Sequence, residues 1–230
     1  IHVNDTHSHI DPQRSGEHKG RGGVIEQAAY IDSVRCADGK RNVLLLHAGD
    51  FSQGTSYFTE LKGNIEIDVL NALGFDVVTL GNHEFDYGML GCMKIINDAQ
   101  YPYISCNFYN EENGVRKENV LDSFKIFTCT SAKIAFVGIT TPETFTKSTP
   151  AYFQDANGKY IYGISGGDDG ADLYSDVQKA IDDAVLNGAT KVIALGHLGD
   201  YAGSSVWTSE STIKNVSGLD AFIDGHSHST

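Results

Sequence analysis

Short apolar runs alternate along the chain with longer segments whose apolar positions recur at helical spacing. Residues 43–46, 77–80, 192–195 and 221–223 have the length and composition of buried strands, and the chain opens on a strand fragment, Ile1-His2-Val3. Helical spacing marks residues 24–34, stopped by Gly39, 65–73, closed by Gly74, 89–99, and 171–186, ended by Asn187-Gly188. The strands are read at 42–47 and 75–80, with a short one near 103–106. Two apolar segments, 124–130 and 133–139, flank Ser131-Ala132 and predict an antiparallel hairpin. From Pro142 to Gly170 no period holds. Such a stretch inside a compact domain is functional or disordered, and its tyrosines and phenylalanines favour an ordered, packed loop. Consecutive strand–helix units plus a hairpin predict one α/β domain with a mixed sheet over residues 1–230, with no internal repeat and no linker.

Bulk properties narrow the function. A formal charge of −13 argues against a nucleic-acid backbone as main partner, which would need Lys and Arg to displace counterions. It leaves room for a small anionic substrate, because bound divalent cations reverse the local sign of a cleft. No apolar stretch reaches the roughly 18 residues that span a bilayer. The chain opens inside a predicted strand with no signal peptide ahead of it, so a segment is expected to precede Ile1. Cys36, Cys92, Cys106 and Cys129 show no C-x-x-C spacing and avoid the histidine motifs, which makes a zinc–cysteine site or a disulfide framework a poor reading.

The chemistry sits after the strands. Asn4-Asp5-Thr6-His7 follows the first, and Gly49-Asp50, Gly81-Asn82-His83-Glu84, Gly196-His197 and Gly225-His226-Ser227-His228 follow the others. In an α/β sheet ligands gather where strands end, so these motifs can converge on one crevice. Any one of these histidines alone would pass for part of a capped turn. Together, Asp5, His7, Asp50, Asn82, His197, His226 and His228 exceed the roughly four ligands of a closed zinc site. The surplus points to two divalent ions (zinc, manganese or iron) sharing one carboxylate, and Asp50 is the natural bridge. Metals roughly 3.5–4 Å apart activate water and clamp both oxygens of an in-line displacement, and phosphoryl transfer gains most from this. A histidine beside a metal-bound asparagine sits over the reacting phosphate, and a carboxylate three residues on, as Asp86 is to His83, can fix its tautomer.

In this order the motifs resemble those of the calcineurin-like metallophosphoesterases. The finer text, Asn4-Asp5-x-His7-Ser8-His9 and Gly81-Asn82-His83-Glu84-Phe85-Asp86, resembles the 5′-nucleotidase branch, and the match spans the whole chain. The resemblance implies a four-layer α/β sandwich of two mixed β-sheets flanked by helices. It implies one metal held by Asp5, His7, Asp50 and His228, and another by Asp50, Asn82, His197 and His226. His83 and Asp86 would form the dyad that stabilises or protonates the leaving oxygen. The implied activity is removal of the 5′-phosphate of nucleotides by in-line attack of hydroxide. Hydrolysis of 2′,3′-cyclic nucleotides or of nucleotide-sugar pyrophosphates is the alternative, and a metal-retaining surface binding protein without turnover is the alternative from another class.

Two departures stand out. His228 occupies a position where many members of the branch carry glutamine, which bears on metal preference. The chain stops at Thr230, where members continue through a linking helix into a C-terminal domain that grips base and substrate; such a domain is expected in the full-length protein. Family habit further implies a location in the periplasm, the cell wall or outside the cell. Among the remaining candidates, His2, His9, His18 and His47 read as surface or core histidines, with a supporting role weighed for His9. Glu84 and Asp11 read as helix-start or supporting acids, not ligands. Gly20-Arg21-Gly22-Gly23 reads as a tight turn before an anion site, Gly166-Gly167-Asp168-Asp169-Gly170 as a solvated turn before a calcium loop, and Asn4-Asp5-Thr6 as a chance match to a glycosylation acceptor.

Overall fold

A computed structural model describes residues 1–201 and 206–229. The chain runs from β1 (His2–Val3) through a long loop to α1 (Val24–Asp38), then β2 (Leu46–His47), α2 (Ser56–Leu61), α3 (Asn64–Leu73), β3 (Val77–Thr79), α4 (Gly88–Asp98) and β4 (Tyr103–Ile104). An antiparallel region follows with β5 (Phe108–Glu112), β6 (Val115–Asn119), β7 (Phe124–Thr128) and β8 (Lys133–Thr140). After α5 (Thr144–Lys147) and β9 (Tyr162–Ile164) come α6 (Ala171–Leu186), β10 (Lys191–His197), α7 (Ser209–Asn215) and β11 (Ala221–Ile223).

Two four-stranded sheets lie face to face, ordered β1-β2-β3-β4 and β11-β10-β8-β7. The side-chain period of two decides who packs where. In β2 and β3 and the residues beside them, Leu46 and Val77 point between the sheets, with Ala48, Ile104, Phe136 and Leu195. Their neighbours Leu45 and Val78 point the other way, under Ile31 of α1, Ile67 and Leu70 of α3, and Cys92 and Ile95 of α4. On the far side, α6 lays Leu173, Val177, Ala180, Ile181 and Ala184 over Val137, Val192 and Ala194. These helix positions follow the 3.6-residue repeat that the sequence showed. Each fully buried leucine or phenylalanine contributes about 1.5–3 kcal/mol relative to exposure.

The expected sandwich is therefore present, with two refinements. The first sheet is parallel throughout, and mixing is confined to the β7–β8 hairpin at one edge of the second. A third, antiparallel sheet, β6-β5-β9, adds Phe108 and Ile164 to the core under α3 and α4. The strand read at 42–47 pairs by ladder only at Leu46–His47. Ahead of it, the Asp76 carboxylate takes the Leu45 N–H at 2.8 Å and the N-terminal amine donates to Leu44 O at 2.8 Å. The β5–β6 hairpin escaped the hydrophobic pattern because β6 is mostly polar. Its turn is Asn113-Gly114, both left-handed (φ 58° and 74°), the geometry a two-residue hairpin loop favours. Three short helices escaped too: α2, capped by Thr55, α7, capped by Thr208, and the four-residue α5 in the segment without period. The segment from Pro142 to Gly170 is packed as its aromatics suggested, with Phe153 fully buried against Phe85 and Phe145. None of the four cysteines is bridged; Cys92 and Cys106 are buried, Cys36 and Cys129 exposed. Among the described residues no helix is long and apolar enough to cross a membrane.

Candidate functional site

The loops after β1, β2, β3, β10 and β11 meet at one end of the sandwich. Glycine permits the meeting. Gly49, at φ 86°, approaches Gly81 so closely that an added Cβ would stand 2.6 Å from the Gly81 N, and a Cβ on Gly81 would stand 2.2 Å from Asp50 Oδ1. The loops after β1 and β2 then run side by side: Asp5 N donates to Gly49 O (3.0 Å), His7 N to Asp50 O (3.1 Å) and Ser8 N to Phe51 O (2.8 Å). Within these loops Asp5, His7, Asp50, His226 and His228 hold left-handed backbone, at φ 49°, 44°, 56°, 85° and 53°. Such conformations cost about 1–3 kcal/mol each outside glycine and persist where the surroundings over-determine them. Five of the seven predicted ligands carry this strain.

The side chains form two adjoining groups. In one, His228 Nε2 lies 3.3 Å from Asp5 Oδ1 and 3.0 Å from His7 Nε2. In the other, His197 Nε2 lies 3.0 Å from Asp50 Oδ2, with the His226 ring 5.0 Å from that of His197. Within each set, Asp5–His7–His228 and Asp50–His197–His226, one ligand atom per residue falls within 4.8 Å of the others. A third such set, His7–Asp50–His83, bridges the two. Asn82 is buried beside Asp50, and its Oδ1 has no hydrogen-bond partner among the described residues.

Tautomers follow from the outer contacts. His197 Nδ1 faces Ala48 O at 2.6 Å and His7 Nδ1 faces Ser52 O at 3.3 Å, so each donates outward and turns the Nε2 lone pair into the site. His226 is held the other way round. Its Nε2 donates to Glu143 Oε2 at 3.0 Å, leaving Nδ1 as its ligand atom, while its backbone N–H donates to the Asp5 carboxylate. Burial disfavours charge on Asp50 and His197, yet each holds the other charged: the Asp50 carboxyl lies well below the usual range and His197 is pushed up to about 10. A cation bound between them would take the place of that proton. The donor set, the orphaned Asn82 oxygen and the inward lone pairs all fit divalent ions of borderline softness.

Around the ligands stand residues with other tasks. His83 Nδ1 lies 2.7 Å from Asp86 Oδ2, and the His83 backbone N–H donates to Asp50 Oδ1 at 2.9 Å. Partial burial works against a proton on this ring, but the Asp86 hydrogen bond and the Asp50 charge outweigh it and raise its pKa. Glu84, 1% exposed, accepts Asp50 N and Gly81 N on Oε2, and Phe51 N, Ser52 N and Ser52 Oγ on Oε1. Burial and the nearby Asp50 charge push it up to about 7, while the donors favour the ionised form. A carboxyl proton would point at one of five donors, so the ionised form fits the contacts. His47, buried and pushed down to about 3, accepts Gly49 N on Nδ1 and donates from Nε2 to Thr6 Oγ1, tying β2 to the first motif.

Of the predicted ligands, His7, Asp50, Asn82, His226 and His228 line a cleft of about 350 Å³, whose walls also include Gln53, His83 and Lys147. Sequence reasoning missed Glu143 and Lys147. Both lie in the segment without period, and no spacing rule marked them. The weighed alternatives sort out as follows. His9 lines the cleft, while the exposed His2 and His18 join no metal-type group among the described residues. Asp11 pairs with Arg14 and Tyr57 at the surface. Gly22 N donates to the Glu26 carboxylate, and Asp169 accepts Ala171 N at the start of α6.

The chain matches the family of calcineurin-like phosphoesterases over residues 1–230. It is 32% identical over 237 aligned residues to the snake venom 5′-nucleotidase of Naja atra, covering 99% of this chain and 40% of that protein. Among solved structures it is similar to a 5′-nucleotidase precursor of Thermus thermophilus (TM-score 0.75, 26% identity, 99% of this chain, 41% of that one). It is also similar to the NAD nucleotidase of Haemophilus influenzae (TM-score 0.76, 28% identity, 99% of this chain, 38% of that one). The chain thus spans about 35–40% of the length of the curated relatives it matches.

Proposed function

The chain belongs to the calcineurin-like phosphoesterases, and from that premise we propose that it hydrolyses phosphomonoesters, with nucleoside 5′-phosphates as the preferred substrates. The observation that carries this reading is the pair of adjoining ligand groups sharing one cleft with the His83–Asp86 dyad. Asp5, His7, Asp50 and His228 would hold one divalent ion, and Asp50, Asn82, His197 and His226 the other. Bound there, the ions would supply Lewis-acid activation of water and neutralise phosphate charge.

The chain's own residues do the rest. Asp86 orients the His83 ring through Nδ1, leaving Nε2 to the cleft, and the raised pKa of His83 lets that nitrogen donate to the leaving oxygen. Glu84 and Gly81 keep Asp50 in place, and Glu143 holds the tautomer of His226. Lys147 brings a cation to the wall of the cleft for the substrate phosphate. Choice of the nucleoside is assigned in this reading to a C-terminal domain, supported by the greater length of the relatives. An extracytoplasmic location belongs to the same reading, supported by a relative named for venom.

The test is phosphate release from a nucleoside 5′-monophosphate and a 2′,3′-cyclic nucleotide by the metal-loaded protein and by His83→Asn. Hydrolysis should fall by about 10²–10⁴ in the variant with metal content unchanged. Equal rates in both would refute the catalytic role of the dyad, and no release by either with metal bound would favour a binding protein. A preference for the cyclic diester would move the reading to the phosphodiesterase.

A further inference from the structure

Behind the first motif, between α1 and α3, lies a second cavity of about 510 Å³. It shares His9 with the lining of the metal cleft, and Asp5 of the first ligand group also lines it. Its walls are largely apolar, with Phe51, Val69 and Phe75 prominent. Into it faces Glu66, on α3 and 1% exposed, and among the described residues neither of its carboxylate oxygens has a hydrogen-bond partner. Ser8, 2% exposed, lines the same cavity, and its Oγ is equally without a partner.

The contrast with Glu84 is informative. Both glutamates are 1% exposed, yet Glu84 is filled by five donors and Glu66 by none. A buried carboxylate is tolerated when something pairs with it. No lysine or arginine lines the cavity, whereas Asp5 and Glu26 add further acids. A cation from outside would supply the partner that the lining does not. A calcium-type ion takes six to eight oxygens, and no metal-type group among the described residues includes Glu66. A half-open pocket of this size, with aromatic and aliphatic walls and several convergent polar groups, suits a small organic molecule.

We propose that this cavity binds a small organic cation, an ammonium with an apolar body. Its head pairs with Glu66 and donates to Ser8 Oγ, and its body packs on Phe51 and Phe75. Glu66 sets the charge of the ligand, and Val69 limits its size. The proposal does not rest on the phosphoester reading, although Asp5, a proposed metal ligand, also lines the cavity.

Calorimetric titration of the metal-loaded protein with phenethylammonium chloride tests this, with 2-phenylethanol as the neutral analogue. The expected result is saturable one-to-one binding of the ammonium, at least about tenfold tighter than the alcohol, and a similar loss of affinity in Glu66→Gln. Val69→Trp, which fills the cavity and keeps the charge, should abolish binding. Should Glu66→Gln fail to fold, the comparison of the two probes on the unaltered protein stands by itself. Absence of saturable binding, equal affinity for the alcohol, or undiminished binding in Val69→Trp would overturn the proposal.

Discussion

The backbone N–H of Asp50 donates to Oε2 of Glu84 at 3.0 Å, and the same oxygen accepts the N–H of Gly81 at 2.6 Å. One buried carboxylate thus ties the loop after β2 to the loop after β3. Asp50 sits in left-handed backbone at φ 56°, and this tether is part of what holds it there. The residue that would bridge two cations is thereby positioned by an acid outside both ligand groups.

Replacing Glu84 with glutamine should therefore cost more than a surface charge. An amide nitrogen would face backbone donors, leaving two or more N–H groups unpaired, for a loss of about 2–4 kcal/mol. For a chain of this size that is a fall in Tm of roughly 5–15 °C, read by calorimetry. An unchanged Tm would show that the five contacts do not hold the loops.

Gly81→Ala should damage the same junction from the other side. The new methyl group would lie 2.2 Å from Asp50 Oδ1 and 2.5 Å from Asp50 N, and neither flanking loop has room to give. A loss of about 3 kcal/mol and reduced metal uptake are expected, measured by denaturant unfolding and elemental analysis. Wild-type stability with full metal content would contradict the close approach.

Asn82→Ala should separate structure from metal binding. Its Oδ1 has no partner to lose among the described residues, so the metal-free variant should lose only about 1 kcal/mol or less. With metal added, the rise in Tm seen for the unaltered protein should shrink, and about one equivalent of metal should go missing. If the metal-loaded variant melts like the parent, the Asn82 oxygen is not a ligand.

Lys147→Ala should raise KM for a phosphomonoester, which carries about two charges at neutral pH, by several-fold, and raise it less for a singly charged diester. Steady-state kinetics on both substrates decide it. Equal effects on the two would mean that the lysine steers no phosphate charge.

The proposed ligands could be picked out because each follows an apolar strand and most follow a glycine, and the structure brings them together at one end of the sandwich. Period alone located α1, α3, α4 and α6, whose buried faces repeat at helical spacing. The β5–β6 hairpin stayed hidden because Val115–Asn119 is mostly polar; its Asn113-Gly114 turn was the readable signal. The contacts of Glu143 and Lys147 depend on how the segment after β8 folds over the cleft, and nothing in its spacing encodes that. Glu66 reads on α3 as an ordinary polar position, and only its burial without a partner sets it apart.

The central claim is that these loops assemble a metal-dependent phosphoesterase centre. Hydrolysis of bis(p-nitrophenyl) phosphate tests it most directly, using the chain stripped of metal and then titrated with manganese or zinc. The account predicts no turnover when stripped and activity that rises with metal to a plateau near two equivalents. Turnover indifferent to stripping, or none with two equivalents bound, would contradict it.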